Sequence, residues 1–143
     1  MLRTFLRAKI HRARVTRCDP DYVGSITIDR TLLEAADILP LERVDVYNVT
    51  RGTRFATYCL PGVAGGGEIG VNGAAAHLAR VGDLVIVAAY AELDREDIPG
   101  HLARVVFVGE GNVAADVRGQ TPFDTPEDDG NGDEKGRGRP LPR

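Results

Sequence analysis

A chain of 143 residues with 43% hydrophobic and 27% charged residues has the size and composition of one globular domain around a single core. Its formal net charge of −3 excludes an overall basic surface of the kind that holds nucleic acid. The longest apolar run, Leu84 to Tyr90, is far too short to span a bilayer, and the N-terminus has no secretory apolar core, so a cytoplasmic protein is expected.

Residues 2 to 17 read as extended structure. Arg7, Lys9, Arg12, Arg14 and Arg17 alternate loosely with Ile10, Ala13 and Val15, a period near two that predicts a strand with one wet face. Most of these arginines read as a solvated edge. Lys9 and His11 lie two apart, so they share a face and set an ammonium beside an imidazole. Cys18-Asp19-Pro20-Asp21 predicts a turn. It leads into a second short turn, Tyr22-Val23-Gly24-Ser25, that opens onto a strand from Ser25 to Ile28. Asp29 is a good N-cap for a helix from Arg30 to Ala36, with Leu32, Leu33 and Ala36 toward the core. Pro40 keeps Leu39 out of helical geometry.

Val44 to Val49 alternates as a strand, Thr50-Arg51-Gly52-Thr53 makes a hairpin connection, and Arg54 to Leu60 returns. Arg54, Ala56 and Tyr58 then face one side, and Phe55, Thr57 and Cys59 the other. Thr57 and Tyr58 share a side only if the strand bulges or ends there. Pro61 to Gly67 is a flexible loop. Gly65, Gly67 and Gly70 match the dinucleotide spacing GxGxxG, but no strand feeds directly into it and no long βαβ unit follows, which makes the match weak. Glu68 to Val71 reads as a short strand, and Asn72 as the cap of a short helix through Ala79.

Arg80-Val81-Gly82-Asp83 turns into Leu84 to Tyr90, the most hydrophobic strand and the expected centre of the sheet. Glu92 to Gly100 reads as a surface connection and Val105 to Val108 as the last strand. From about Asp116 the composition shifts to Gly, Pro and charge, which predicts a disordered tail. Cys18 and Cys59 are expected to stay reduced, and with three scattered histidines they form no metal site. Many short strands, two short helices and no helix–strand alternation predict a mainly β protein built as a small closed barrel.

In order along residues 1 to about 90, Lys9 and His11, the Gly24-Ser25 turn, Arg54-Phe55-Ala56-Thr57-Tyr58 and Val71-Asn72-Gly73-Ala74-Ala75-Ala76-His77 resemble the pyruvoyl-dependent aspartate 1-decarboxylases. The resemblance implies a double-psi β-barrel over residues 1–115, followed by the tail 116–143. It implies self-cleavage between Gly24 and Ser25 into a short β chain and a longer α chain. The α chain would begin with a covalent pyruvoyl group derived from Ser25, with no metal. Ser25 is then both the pyruvoyl precursor and the Schiff-base site, Thr57 assists cleavage, and Tyr58 is the proton donor. Substrate would be bound by Lys9, His11, Arg54, Thr57, Asn72, Gly73, Ala74 and Ala75. A guanidinium at Arg54 suits a carboxylate through paired hydrogen bonds, and Lys9 adds a point charge. The implied reaction converts L-aspartate to β-alanine and CO2 for pantothenate and coenzyme A synthesis. The implied assembly is a homotetramer with active sites between subunits and no nucleic-acid or membrane partner. Tyr47 stands where that family allows a tryptophan. Two other readings remain open. A non-enzymatic binding barrel makes Gly24-Ser25 an ordinary turn, Arg54 a surface cation, Tyr58 a strand aromatic and Asn72 only a helix cap. A pyruvoyl enzyme for a different amino acid keeps the cleavage and changes what Arg54 and Lys9 hold.

Overall fold

A computed structural model of the chain describes residues 1–124 and 139–141. Ten strands follow in order: β1 (Arg3–Arg14), β2 (Arg17–Asp19), β3 (Ser25–Asp29), β4 (Arg43–Asn48), β5 (Arg54–Gly62), β6 (Ile69–Asn72), β7 (Leu84–Leu93), β8 (Ala103–Val108), β9 (Ala114–Gln120) and β10 (Arg139–Pro140). One α-helix, α1 (Arg30–Ala36), follows β3, and short 3₁₀ turns cover Gly73–Leu78, Ile98–Gly100 and Glu110–Asn112. The strands pair in the order β10-β9-β8-β1-β7-β4-β5-β3-β6-β2. Because β1 and β2 are consecutive pieces of one run, the row that leaves β1 through β7 comes back to the same stretch at β2. Val15 N–H donates to the Asp83 carbonyl and Thr16 N–H to the Ile69 carbonyl across that closure. The result is the small, mainly β-barrel that the strand pattern predicts.

Strand curvature has local causes. β1 slips register against β7 between Leu6 and Ala8 and again between His11 and Ala13. Arg12, the extra residue of the second bulge, has φ +66°. Such bulges bend a strand and increase its twist, which lets twelve residues wrap a narrow barrel. Inward positions alternate as period two requires: Ala8 and Ile10 on β1, Val44 and Val46 on β4, and Val85 and Val87 on β7 are all buried. Each fully buried valine or isoleucine contributes about 1.5–3 kcal/mol relative to exposure.

The helix forms where its cap predicts. Asp29 accepts from the Thr31 N–H, Leu32, Leu33 and Ala36 are buried, and Asp37 ends the helix in the left-handed region at φ +56°. The Asp29 carboxylate also accepts from Gly65 N–H at 3.1 Å and Gly67 N–H at 2.7 Å. The amides of the GxGxxG-like loop are therefore engaged by an internal carboxylate, which disposes of the dinucleotide reading. Asp83 does equivalent work at the other end, accepting from Asn48 Nδ2, Arg51 Nε and Arg80 N–H.

Three expectations are corrected. β7 runs on to Leu93, so Glu92 belongs to a strand rather than to a surface connection; it pairs with Thr4 at the wet end of β1. β9 carries the ordered chain past residue 115 to Gln120, pairing antiparallel with β8. Its composition hid it, because Asp116 and Arg118 form an ion pair beside the half-buried Val117. The remainder of the expected disordered tail, residues 125–138 and 142–143, lies outside the described residues. Asn72 caps no helix with its side chain, for a reason given below. Among the described residues no helix is long and apolar enough to cross a membrane, and no His/Cys/Asp/Glu cluster suits a metal ion.

The buried carboxylates make the acid limb of stability predictable. Burial pushes the Asp29 pKa up, but hydrogen bonds from Gly67, Thr31 and Gly65 outweigh it, and the net shift is downward. Asp83 behaves likewise, with Asn48, Arg51 and Arg80 outweighing burial. A carboxylate depressed in the fold contributes stability that is complete above its unfolded pKa of about 4 and is lost as pH falls through the folded value. Melts between pH 7 and pH 3 are expected to show a stability drop confined to the region below about pH 4. Asp29→Ala removes the cap and strands two loop amides, costing about 3 kcal/mol and roughly 10 °C in Tm. An unchanged Tm in that variant would show that the loop amides are satisfied by water.

Candidate active site

Ser25 opens β3 and is wholly buried. Its backbone pairs with Asn72, the last residue of antiparallel β6. Directly opposed residues on an antiparallel pair send their side chains to the same side. Asn72 Nδ2 accordingly donates to Ser25 Oγ at 3.0 Å and to Thr27 Oγ1 at 3.1 Å. That is why Asn72 does not cap the following turn: pairing with Ser25 commits its carboxamide elsewhere. Ser25 Oγ donates in turn to the Val23 carbonyl at 3.3 Å, so the hydroxyl is held against the backbone just ahead of Gly24.

Crowding at this turn falls on one glycine and not on the other. Gly24 has open space where a Cβ would stand and no positive φ. Gly73, by contrast, has φ +66°, and a Cβ there would come within 2.6 Å of Gly24 Cα and 2.9 Å of Gly24 N. The backbone of the Asn72-Gly73 corner thus lies directly on Gly24 N and Cα, just before the Gly24-Ser25 bond, an approach only glycine permits. Ala74 is exposed and Ala75 half-buried on the turn that follows.

The neighbouring strand supplies two more of the expected residues. β3 and β5 run parallel, with Ile26 opposite Cys59. Ser25 and Tyr58 are the residues immediately before that first pair on β3 and β5, and Thr57 precedes Tyr58. Pairing with β4 is regular through Tyr58, with no bulge. Thr57 and Tyr58 therefore point to opposite sides of the sheet, Tyr58 outward with Ser25 and Thr57 inward with Cys59. Neither hydroxyl has a hydrogen-bond partner among the described residues.

Lys9, His11 and Arg54 form a second patch. His11 pairs with Ile86, Ile86 with Tyr47 and Tyr47 with Arg54, so one row crosses four strands on the outer face of the barrel. Lys9 stands in the next row, opposite Ala88. Arg54 lies over the Tyr47 ring at 4.9 Å, and Tyr47 Oη shares a 2.6 Å hydrogen bond with Tyr90 Oη. That bond, with burial, pushes the Tyr47 pKa up to about 12. Burial lowers the Lys9 pKa. His11 falls to about 4 through burial first, then repulsion from Lys9 and Arg12, so the imidazole is neutral at neutral pH. His11 packs edge-on against Phe107, and its buried Nδ1 has no partner among the described residues. Lys9 and Arg54 likewise make no ion pair among them. A broad open cleft between β1, Gly66-Gly67 and Glu110–Asn112 includes His11 but does not reach Ser25.

The two patches do not meet within one chain. Arg54 and Tyr58 are four residues apart on one strand, about 13 Å, and Lys9 is separated from Ser25 by four strand spacings, about 20 Å along the sheet. The fold thus brings together Ser25, Asn72 and Gly73, with Tyr58 on the same side of the adjoining strand and Thr57 on its other side, and separately gathers Lys9, His11 and Arg54. Sequence reasoning missed Thr27 and Tyr90. Thr27 was detectable as the next residue on the Ser25 face of the strand. Tyr90 had no local signal, since its contact with Tyr47 depends on the pairing of β4 with β7.

A family profile described as aspartate decarboxylase matches residues 1–115. Curated proteins named aspartate 1-decarboxylase from Staphylococcus aureus strains JH9, Newman and JH1 are each 50% identical to the chain over 117 residues, covering 82% of it and 92% of their own length.

Proposed function

Since this chain belongs to the aspartate decarboxylase family, we propose that it is a self-processing lyase that converts L-aspartate to β-alanine and CO2 for pantothenate synthesis, with Ser25 as the origin of its reactive group. The observation that carries this reading is the buried Ser25 Oγ, held by Asn72 beside a Gly24 backbone on which Gly73 is packed. The fit to a pyruvoyl group at position 25 rests on the same features. Asn72 offers an N–H to an oxygen there, and the Gly73 backbone leaves no side chain in the way. That ketone supplies the electron sink into which carbon dioxide loss from an amino acid proceeds.

Processing needs only the chain's own atoms and water. Ser25 Oγ attacks the Gly24 carbonyl carbon, the Gly24-Ser25 C–N bond breaks, and the acyl group moves from nitrogen to oxygen. Elimination then releases Gly24 as a carboxylate, and hydrolysis of the residue left at position 25 expels ammonia. The Thr57 hydroxyl, on the strand next to Ser25 and with no hydrogen bond among the described residues, is assigned to assist the first step. The chain is divided into residues 1–24 and residues 25–143, the latter carrying strands β3 through β9.

Substrate binding follows from charge and shape. Arg54 presents a planar fork for a carboxylate, its rear face covered by Tyr47. Lys9 adds a half-buried cation, and neutral His11 offers a ring nitrogen with no internal partner. Asn72, Gly73, Ala74 and Ala75 border the Ser25 end, and Thr57 reaches it through the backbone of the adjoining strand, its side chain lying on the inner face. Tyr58 faces the same side as Ser25 and is the proton donor to the carbon that loses CO2. Aspartate is shorter than even the roughly 13 Å between Arg54 and Tyr58, the nearest members of the two patches. That mismatch supports sites formed between neighbouring copies in a homotetramer, each pairing one chain's Ser25 with another's Lys9, His11 and Arg54. The setting proposed is the cytoplasm.

The decisive test is an intact mass under denaturing conditions after warm incubation. Two fragments divided between Gly24 and Ser25 are expected, the larger lighter than a serine-terminated chain by the mass of ammonia, together with release of β-alanine from aspartate. A chain that remains whole would support the binding-barrel reading instead. Cleavage without turnover of aspartate would direct attention to another amino acid.

A further inference from the structure

The carboxamide of Asn72 can point either way, and only one direction gives Ser25 a donor. Nδ2 toward Ser25 Oγ supplies an N–H that favours negative charge on that oxygen, whereas Oδ1 there would accept the serine proton and oppose it. Ser25 and Thr27 do not decide the matter, since a hydroxyl can donate or accept. Arg17 does. Its Nη2 donates to Asn72 Oδ1 at 3.3 Å, and a guanidinium has no acceptor, so the flipped amide would set two donors against each other. Arg17 is held in turn by Glu68 Oε1 at 3.0 Å and lies 5.7 Å from the centre of the Tyr22 ring, on the segment that carries the scissile bond. Gly70 leaves it room: a Cβ there would come within 3.0 Å of Nη2.

We propose that Arg17, anchored by Glu68, is a positioning residue for self-processing: it fixes the Asn72 carboxamide so that its N–H groups face Ser25 and Thr27. This rests on the reading of Ser25 as the self-cleaving residue. Arg17 touches neither Ser25 nor Gly24, and its whole effect passes through Asn72.

The test is the rate of chain cleavage, read by mass on freshly made protein. Arg17→Ala is expected to slow cleavage about tenfold, the size of one lost hydrogen bond to a charged group. Glu68→Gln is expected to slow it less, and Arg17→Lys to recover part of the rate, since an ammonium still demands an acceptor. A purely structural role would not give the next result: in an Asn72→Ala background, which has no amide to orient, Arg17→Ala should change the residual rate by less than twofold. Wild-type cleavage with an equally fast Arg17→Ala variant overturns this inference alone. So do equal effects of Arg17→Ala in the two backgrounds. A wild-type chain that never cleaves overturns the reading of Ser25, and this inference with it.

Discussion

Ser25→Ala is expected to give one uncut chain with no aspartate decarboxylase activity. The substitution removes the only oxygen that can attack the Gly24 carbonyl from within the residue, so neither cleavage nor the ketone derived from it can form. Loss of folding would not explain such a result. Alanine fits within the space of serine, and the change removes two hydrogen bonds, one from Asn72 and one to Val23. Asn72 keeps Thr27 as an acceptor. The cost is about 1–2 kcal/mol against a typical domain stability of 5–15 kcal/mol. A melt close to wild type, a single mass and no detectable β-alanine form the expected set. Full activity from an uncut Ser25→Ala chain would rule out the pyruvoyl mechanism.

Tyr58→Phe is expected to separate maturation from turnover. The phenol stands one strand over from Ser25 on its outward side, and no hydrogen bond among the described residues holds its hydroxyl. Removing that oxygen leaves the strand, its register with β4 and the neighbouring Thr57 unaltered, so cleavage should proceed at the wild-type rate. Proton return to the carbon that has lost CO2 should not. A missing general acid lowers kcat by about 10²–10⁴-fold, and KM should move little, because the proposal gives the substrate carboxylates to Arg54 and Lys9 rather than to Tyr58. Steady-state kinetics on fully cleaved protein would show it. An unchanged kcat would assign the proton to another group, and failure to cleave would mean that Tyr58 acts earlier than proposed.

Local chemistry wrote much of the barrel into the sequence. Alternation from Val44 to Val49 was enough to orient that strand, Asp29 announced the start of α1, and Leu32, Leu33 and Ala36 its buried face. Lys9 and His11 were legible as a pair, since two residues of one strand need no partner to share a face. That Ser25, Asn72 and Tyr58 belong together was legible only through the family resemblance. No period or cap connects Ser25 with a residue 47 positions later.

Tertiary structure decided what depends on pairing between distant strands. The contact of β3 with β6 turned Asn72 from a helix cap into the donor facing Ser25, and brought in Thr27. The same packing requires a glycine at Gly73. Asp29 reached across to the amides of Gly65 and Gly67, in the loop whose GxGxxG spacing matched a dinucleotide site only weakly. β9 escaped notice because its charged residues resemble a tail until β8 lies beside them. In each case the sequence by itself determined which backbone shapes and which side-chain chemistries were available, while the choice of partner lay with long-range pairing, whose register no short stretch of sequence records.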